Sequence, residues 1–331
     1  MNIYTPSKDR YENMRYRKCG NSGLFLPAIS LGLWHNFGED KAFSLRRDMI
    51  LEAFDLGITH FDIANNYSNG EAETFFGKML KNDLAPYRDE LIISTKAGYD
   101  MWQGPYGTQG SSRKYLMASI DQSLTRLGIP YVDIFYSHCF NQTTPLEETM
   151  NALFDIVKQG KALYVGISSY DDEKTKQACE IMKNSGVPLL IHQPSYNMLN
   201  RWIEPKLQPV LNEYGVGSIA FCPLAQGLLT TKYLNEIPKD SRASEKNSTI
   251  GKDEINEAVI KKLNLLNAVA KNRGQTLAQM SLAWVLRDEK VTSAIIGASR
   301  VSQIQENVKA IDNLNFSTDE LEKIDNILIA D

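Results

Sequence analysis

Eight short apolar runs recur along the 331-residue chain, and each closes on polar or small residues. They are "PAISLGLW" (27–34), "ITHFDIAN" (58–65), "ELIISTKAG" (90–98), "YVDIFYSHCF" (131–140), "ALYVGISSY" (162–170), "PLLIHQPSYN" (188–197), "GSIAFCPLAQG" (217–227) and "VTSAIIGAS" (291–299). A parallel strand buried on both faces reads this way, because helices cover it above and below. Between the runs lie amphipathic stretches such as "LRRDMILEAFDLG", "SRKYLMASIDQSLTRLG", "PLEETMNALFDIVKQG", "DDEKTKQACEIMKNSG" and "KLQPVLNEYG". Each stops at a glycine, the residue that best tolerates a left-handed helix end. Eight strands alternating with helices predict an α/β fold, a (β/α)8 TIM barrel, with a doubly wound sheet as the alternative.

The composition is that of a globular protein, with 43% hydrophobic and 23% charged residues. Such barrels run to about 250 residues as one unit, so residues 1–331 are expected to form a single domain. The net charge is -4 and no block of Lys or Arg stands out, so neither nucleic acid nor a membrane is an expected partner. The start, "MNIYTPSKDRYENMRYRKCG", is polar and lacks the apolar core of a signal peptide. Cys19, Cys139, Cys179 and Cys222 are scattered without a C-x-x-C pair. Reduced thiols, a cytoplasmic setting and no zinc site are the expectation. No run of acidic or His-x-His strand ends suggests another metal.

Two segments break the repeat. "MRYRKCGNSGLFLPA" reads as a hairpin turning at "GNSG", placed to stop the bottom of the barrel. The stretch 226–254 is long, polar and without apolar period, as expected of a loop covering the site after strand seven.

Barrel sites are built at the C-terminal ends of the strands. Strand two delivers Asp62, with Tyr67 in its loop; strand three delivers Lys96 and strand four His138. A phenol has an ordinary pKa of about 10, and a nearby ammonium lowers it. Asp62 would balance Lys96 at a half-dry mouth, and His138 could bond a carbonyl oxygen. Each residue alone has a duller use: a helix cap, a loop tyrosine, a solvated lysine, a core histidine. Together, at the ends of successive strands, they make a general acid beside a polarised carbonyl. An exposed Cys139 beside them would be open to oxidation. "GVGSIA" (215–220) fits G-x-G-x-x-A, but it precedes a strand instead of following one, so it is no dinucleotide fingerprint.

"FDIANNYSNGEAE", "STKAG" and "YSHCF" resemble the signature segments of the aldo-keto reductases, and the resemblance spans nearly the whole chain. "LGLWHNFG", "GPYG" and "PLAQGLLT" are similar to the branch that holds bacterial reductases of glyceraldehyde 3-phosphate and the potassium-channel β subunits. The resemblance implies NADPH-dependent reduction of aldehydes and ketones, NADP+ being the product, with Tyr67 as acid and Asp62, Lys96 and His138 supporting it. It implies Ser168, Ser169 and Gln193 at the nicotinamide amide and Phe221 stacked on the ring, beside Trp34, Asp62 and Tyr67. Cys222, Pro223, Leu224, Ala225, Gln226, Gly227 and Leu228 would wrap the pyrophosphate, with Lys232 and Arg242 from the long loop. Gly297, Ser299, Arg300, Gln303, Glu306 and Asn307 would hold the adenosine end.

The chain departs from the family pattern at Ala298 and Gln303, where a Lys and an Arg often meet the 2′-phosphate, and at Cys139, where relatives often carry Arg. Arg300, Lys232 and Arg242 are the cations left to meet that phosphate. Trp34, His35, Tyr99, Trp102 and Tyr106 predict a small aromatic substrate pocket suited to glyceraldehyde, methylglyoxal or a hydroxybutyraldehyde. The branch implies glyceraldehyde 3-phosphate, with Arg113 or Lys114 near its phosphate. It also implies a homo-oligomer, a tetramer or octamer. The alternative function is a channel-regulatory or redox-sensing subunit that keeps NADPH as a ligand; no extended segment precedes the barrel strands, which favours the enzyme.

Overall fold

The computed structural model describes residues 4–107, 110–234 and 255–329. Eight parallel strands close into a barrel: β3 (Ile29–Gly32), β4 (His60–Asp62), β5 (Ile92–Ala97), β6 (Val132–Ser137), β7 (Ala162–Ser168), β8 (Ile191–Gln193), β9 (Gly217–Ala220) and β10 (Ser293–Ile296), with β10 pairing back onto β3. All eight apolar runs thus become strands. Each strand is shorter than its run, because the closing residues, and in most runs the opening ones, lie in the flanking loops.

Helices α1 (Phe43–Asp55), α2 (Glu71–Met79), α3 (Arg113–Leu127), α4 (Leu146–Lys158), α5 (Asp172–Ser185) and α6 (Leu207–Tyr214) cross between successive strands. Two helices, α7 (Glu257–Asn272) and α8 (Leu277–Val285), lie between β9 and β10; α9 (Val301–Val308) and α10 (Thr318–Ile329) follow β10. Caps mark the ends. Ser112 accepts from the Tyr115 N–H at the start of α3, and Thr276 with Gln279 forms a capping box on α8. The "GVGSIA" segment is the α6-to-β9 turn: Gly215 ends α6 with φ +66° and Gly217 opens β9.

Strand parity sorts the side chains. Outward residues such as Phe61 and Phe135 pack under the helices, and Phe61 meets Phe76 of α2 with ring centres 5.0 Å apart. Burying one such side chain is worth roughly 1.5–3 kcal/mol. Inward residues make a second cluster of Ile134, Tyr136, Ile191, Ile219 and Ile295, closed from below by Cys19 and Leu26. Those two come from the hairpin β1 (Tyr16–Lys18) and β2 (Phe25–Pro27). The hairpin turn is seated tightly: the Asn21 N–H donates to Gly215 O at 2.8 Å, and a Cβ on Gly20 would come within 2.2 Å of the same oxygen. Only glycine fits there, with φ +54° as a second reason. Among the described residues no helix is long and apolar enough to cross a membrane.

Most of the expected covering loop, including Arg242, lies outside the described residues. Its first part is described: short 3-10 turns at Ala225–Gly227 and Thr231–Tyr233.

Candidate active site

The parity that lines the barrel also aims the strand ends. Asp62, Lys96, His138, Ser168, Gln193 and Phe221 stand two or four residues beyond inward positions of their strands, so they converge on the C-terminal mouth. Pairing registers level them: Asp62 lies opposite Ser94, Lys96 opposite Tyr136, and Ser168 opposite Gln193.

Lys96 is fully buried and Asp62 nearly so. The Lys96 ammonium donates to Asp62 Oδ2 at 2.6 Å, to Ile63 O at 2.7 Å and to Tyr67 Oη at 3.2 Å. Its three hydrogens are thereby committed. Asp62 Oδ1 accepts from Ser94 Oγ at 2.7 Å and Gln193 Nε2 at 3.1 Å. A buried ion pair is tolerable when its remaining lone pairs and hydrogens are matched in this way.

The electrostatics differ from the sequence expectation in one respect. The expected lowering of the Tyr67 phenol is absent: burial pushes it well above its ordinary value, and the Asp62 charge pushes it further. The reason is that Asp62 neutralises Lys96, so desolvation is left to dominate. Burial also lowers Lys96, with Asp62 opposing. Burial, then the Lys96 charge, drives His138 well below the usual imidazole range, so the ring is neutral. His138 Nδ1 is buried without a hydrogen-bond partner, and Tyr99 meets the ring edge-on at 4.6 Å. The Tyr67 and His138 rings are 6.0 Å apart, centre to centre.

Backbone strain collects at the same end. The described non-glycine residues with positive φ are His35, Ser68, Asn69, Ser169, Cys222, Ala225 and Gln226, all in loops that leave the C-terminal ends of strands. Such conformations cost of order 1–3 kcal/mol each and persist where surrounding structure imposes them. In the β9 loop, Cys222, Ala225, Gln226 and Gly227 (φ +102°) wind the backbone through Pro223 and Leu224 to Leu228 as a tight cradle. Ser168 Oγ donates to Gln193 O at 2.9 Å, and Ser169 is exposed beside it. Phe221 is half-buried at the tip of β9. At the tip of β10 an added Cβ on Gly297 would meet nothing within 4 Å. The side-chain oxygen of Gln303 accepts from both Ser299 N (2.8 Å) and Ser299 Oγ (3.1 Å), and exposed Arg300 donates to Ser302. Glu306 is exposed and Asn307 buried on α9; Lys232 is exposed. Asn36 Nδ2 donates to Ala298 O at 2.9 Å, tying the β3 and β10 loops together.

The aromatic residues divide. Trp34, 41% exposed, stacks on His35 at 3.8 Å and lies 6.1 Å from the Tyr67 ring, and Tyr99 flanks His138. Trp102 instead packs on Tyr115 of α3 at 5.1 Å and over Gly107, where a Cβ would come within 2.3 Å of its ring. Tyr106 is exposed under the Lys114 ammonium. Arg113 is paired with Asp155 of α4 at 2.5 Å. The exposed Cys139 of the sequence reading is buried: its thiol donates to Gly98 O at 3.2 Å, shielded at the β5–β6 ends. Ser94 and Gln193 Nε2, the donors that hold Asp62, were not assigned that role from sequence. The signal was the i, i+2 pattern of "HFD" and "STK", which puts polar residues on one inward face.

The chain, a closed (β/α)8 barrel with a hairpin below and an Asp–Lys–Tyr contact at its mouth, belongs to the aldo/keto reductase family, whose model matches residues 28–329. It is 57% identical over 329 residues to the L-glyceraldehyde 3-phosphate reductase of Escherichia coli strain K12, an alignment covering 98% of this chain and 95% of that protein. Two eukaryotic relatives carry the name of voltage-gated potassium channel β subunits. The one from Schizosaccharomyces pombe is 37% identical over 96% of this chain and 94% of its own length. The one from Arabidopsis thaliana is 35% identical over 95% and 97%. The chain is therefore an oxidoreductase of the aldehyde-reducing kind.

Proposed function

We propose that the chain reduces short aldehydes and ketones with NADPH, glyceraldehyde 3-phosphate among them, and that Tyr67 supplies the proton. The observation that carries this reading is the continuous contact from Asp62 through Lys96 to the Tyr67 hydroxyl. NADPH, when held at this mouth, would supply a hydride for the carbonyl carbon. The Tyr67 hydroxyl then gives its proton to the carbonyl oxygen, forming the alcohol. Lys96 steadies the phenolate left behind, and solvent returns the proton. His138 is neutral and orients the carbonyl oxygen; Trp34, His35 and Tyr99 wall the pocket.

The residues present fit the cofactor. Gln193 and Ser168 would meet the nicotinamide amide with Ser169 alongside, and Phe221 its ring. The left-handed cradle at 222–228 suits a pyrophosphate, and the open space at Gly297 admits the adenosine end beside Ser299, Glu306 and Asn307. Gln303 is engaged by Ser299, so Arg300 and Lys232 are the described cations left for the 2′-phosphate. We place the protein in the cytoplasm, as one barrel domain that assembles into a tetramer or octamer. The channel-subunit relatives favour a second reading, a redox-sensing subunit with NADPH as ligand. Turnover decides: a panel of aldehydes with NADPH and NADH should give steady-state oxidation of cofactor under the first reading, whereas tight binding without turnover would reject it.

A further inference from the structure

The polar half of the barrel interior continues below the site. Ser293 on β10, Ser30 on β3, His60 on β4 and Ser94 on β5 are each completely buried. They form a run around the wall: Ser293 Oγ to Ser30 Oγ at 2.6 Å, Ser30 Oγ to His60 Nδ1 at 2.9 Å, His60 Nε2 to Ser94 Oγ at 2.9 Å, and Ser94 Oγ to Asp62 Oδ1 at 2.7 Å.

The direction of every bond follows from its end. An ionised carboxylate accepts only, so the single Ser94 hydrogen goes to Asp62. Ser94 Oγ must then accept from His60 Nε2–H. Burial lowers His60 to about 4, so the ring is neutral and Nδ1 is bare. Nδ1 takes the Ser30 hydrogen, and Ser30 Oγ takes that of Ser293. Four hydrogens point one way, toward Asp62, and hydrogen bonds aligned head to tail polarise one another.

We propose that His60 is a positioning residue of the carbonyl-reduction site: with Ser30 and Ser293 behind it, it holds the Ser94 hydrogen on Asp62 Oδ1 and keeps Oδ2 turned toward Lys96. The inference rests on the reductase reading above. Lys96 is the group that feels the change. It is faced by Asp62 and His60 from β4, Tyr67 from the following loop, Tyr136 from β6, His138 just beyond that strand, and Glu73 from α2. Burial works against its charge, and Asp62 is the chief group that sustains it. A loosened Asp62 lets Lys96 lose its proton at lower pH, and the bond to Tyr67 changes with it.

The test compares His60→Leu and Ser94→Ala with His60→Gln, whose amide offers an NH2 donor group and an acceptor oxygen. In the first two, kcat should fall about tenfold with both KM values little changed, and the basic limb of the kcat profile should move down by about one pH unit. His60→Gln should recover most of both. A folded His60→Leu protein with wild-type kcat and an unmoved limb would overturn the proposal. Nitrogen-15 NMR of labelled histidine gives a readout that needs no turnover. The chain has four histidines, and the His60 signal is the one lost in His60→Gln. It should show a neutral ring with its hydrogen on Nε2 across the neutral range; a hydrogen on Nδ1, or a ring that titrates there, would reject the donor chain. If the wild-type protein reduces no aldehyde with either cofactor, the reductase reading fails separately, and the NMR result still decides the bond directions.

Discussion

The Lys96 ammonium donates to the Tyr67 hydroxyl at 3.2 Å while its shortest bond, 2.6 Å, goes to Asp62 Oδ2. Tyr67→Phe removes the transferable proton and almost no volume. Turnover should fall on the order of 10²–10⁴-fold while cofactor affinity, followed by fluorescence titration, stays within a small factor. A variant that keeps most of its kcat would remove Tyr67 from the role of acid.

Lys96→Met should be equally damaging to turnover, and it should also weaken the fold. It strands the Asp62 carboxylate in a buried site, a change that costs about 3–5 kcal/mol. Chemical denaturation measures this. Lys96→Met combined with Asp62→Asn should regain part of the stability and none of the activity.

Acid should destabilise the protein through its buried imidazoles. Burial holds His60 near about 4 and His192 near about 3, below the ordinary value of 6.5. Both folded-state values are depressed, so the unfolded chain binds more protons between those values and 6.5. Their stabilising contribution is full above pH 6.5 and is lost as pH falls toward 4 and then 3. Calorimetry at neutral pH and near pH 4.5 should therefore give a lower Tm in acid, about 1 kcal/mol of lost stability for each unit of pH per histidine. In His192→Leu the decline should be shallower; an identical decline would exclude His192 as a contributor.

NADPH should be used in preference to NADH, with the preference falling as salt rises, because Arg300 and Lys232 are exposed. Arg300→Ala should reduce the ratio of the two kcat/KM values by several-fold, on the order of one charge-assisted bond. Equal use of both cofactors by the wild type would overturn that assignment.

Short aldehydes should be better substrates than bulky ketones. Trp34→Ala should raise KM for short aldehydes, since Trp34 lies beside Tyr67 and is partly exposed. Trp102→Ala should act on stability more, because its ring packs on Tyr115 and Gly107. The kcat/KM ratio for matched aldehydes with and without a phosphate should stay at its wild-type value in Arg113→Ala and Lys114→Ala, because Arg113 is paired with Asp155 and Lys114 lies over the Tyr106 ring. A steroid as best substrate would reject the small pocket.

The barrel was readable in the sequence because its signals are local. An apolar run that ends in "FD" or "STK", and a helix that ends in glycine, carry their meaning within ten residues. What stayed hidden depends on neighbours across the fold. Cys139 is buried because Gly98 O of the adjacent strand end accepts its thiol, and nothing near it in sequence says so. Trp102 leaves the pocket wall because α3 offers it Tyr115. Tyr67 is raised instead of lowered because burial dominates and the Asp62 charge adds to it, a balance that spacing cannot weigh. The pair of helices α7 and α8 between β9 and β10 has no counterpart among the helical stretches read from the sequence.

The β1–β2 hairpin has a kinetic meaning beyond packing. With Gly20 wedged against Gly215 and Leu26 among the inward isoleucines, the lower opening of the barrel is stoppered. Among the described residues, what reaches Tyr67 therefore comes and goes by the opposite doorway, the mouth where the strands end.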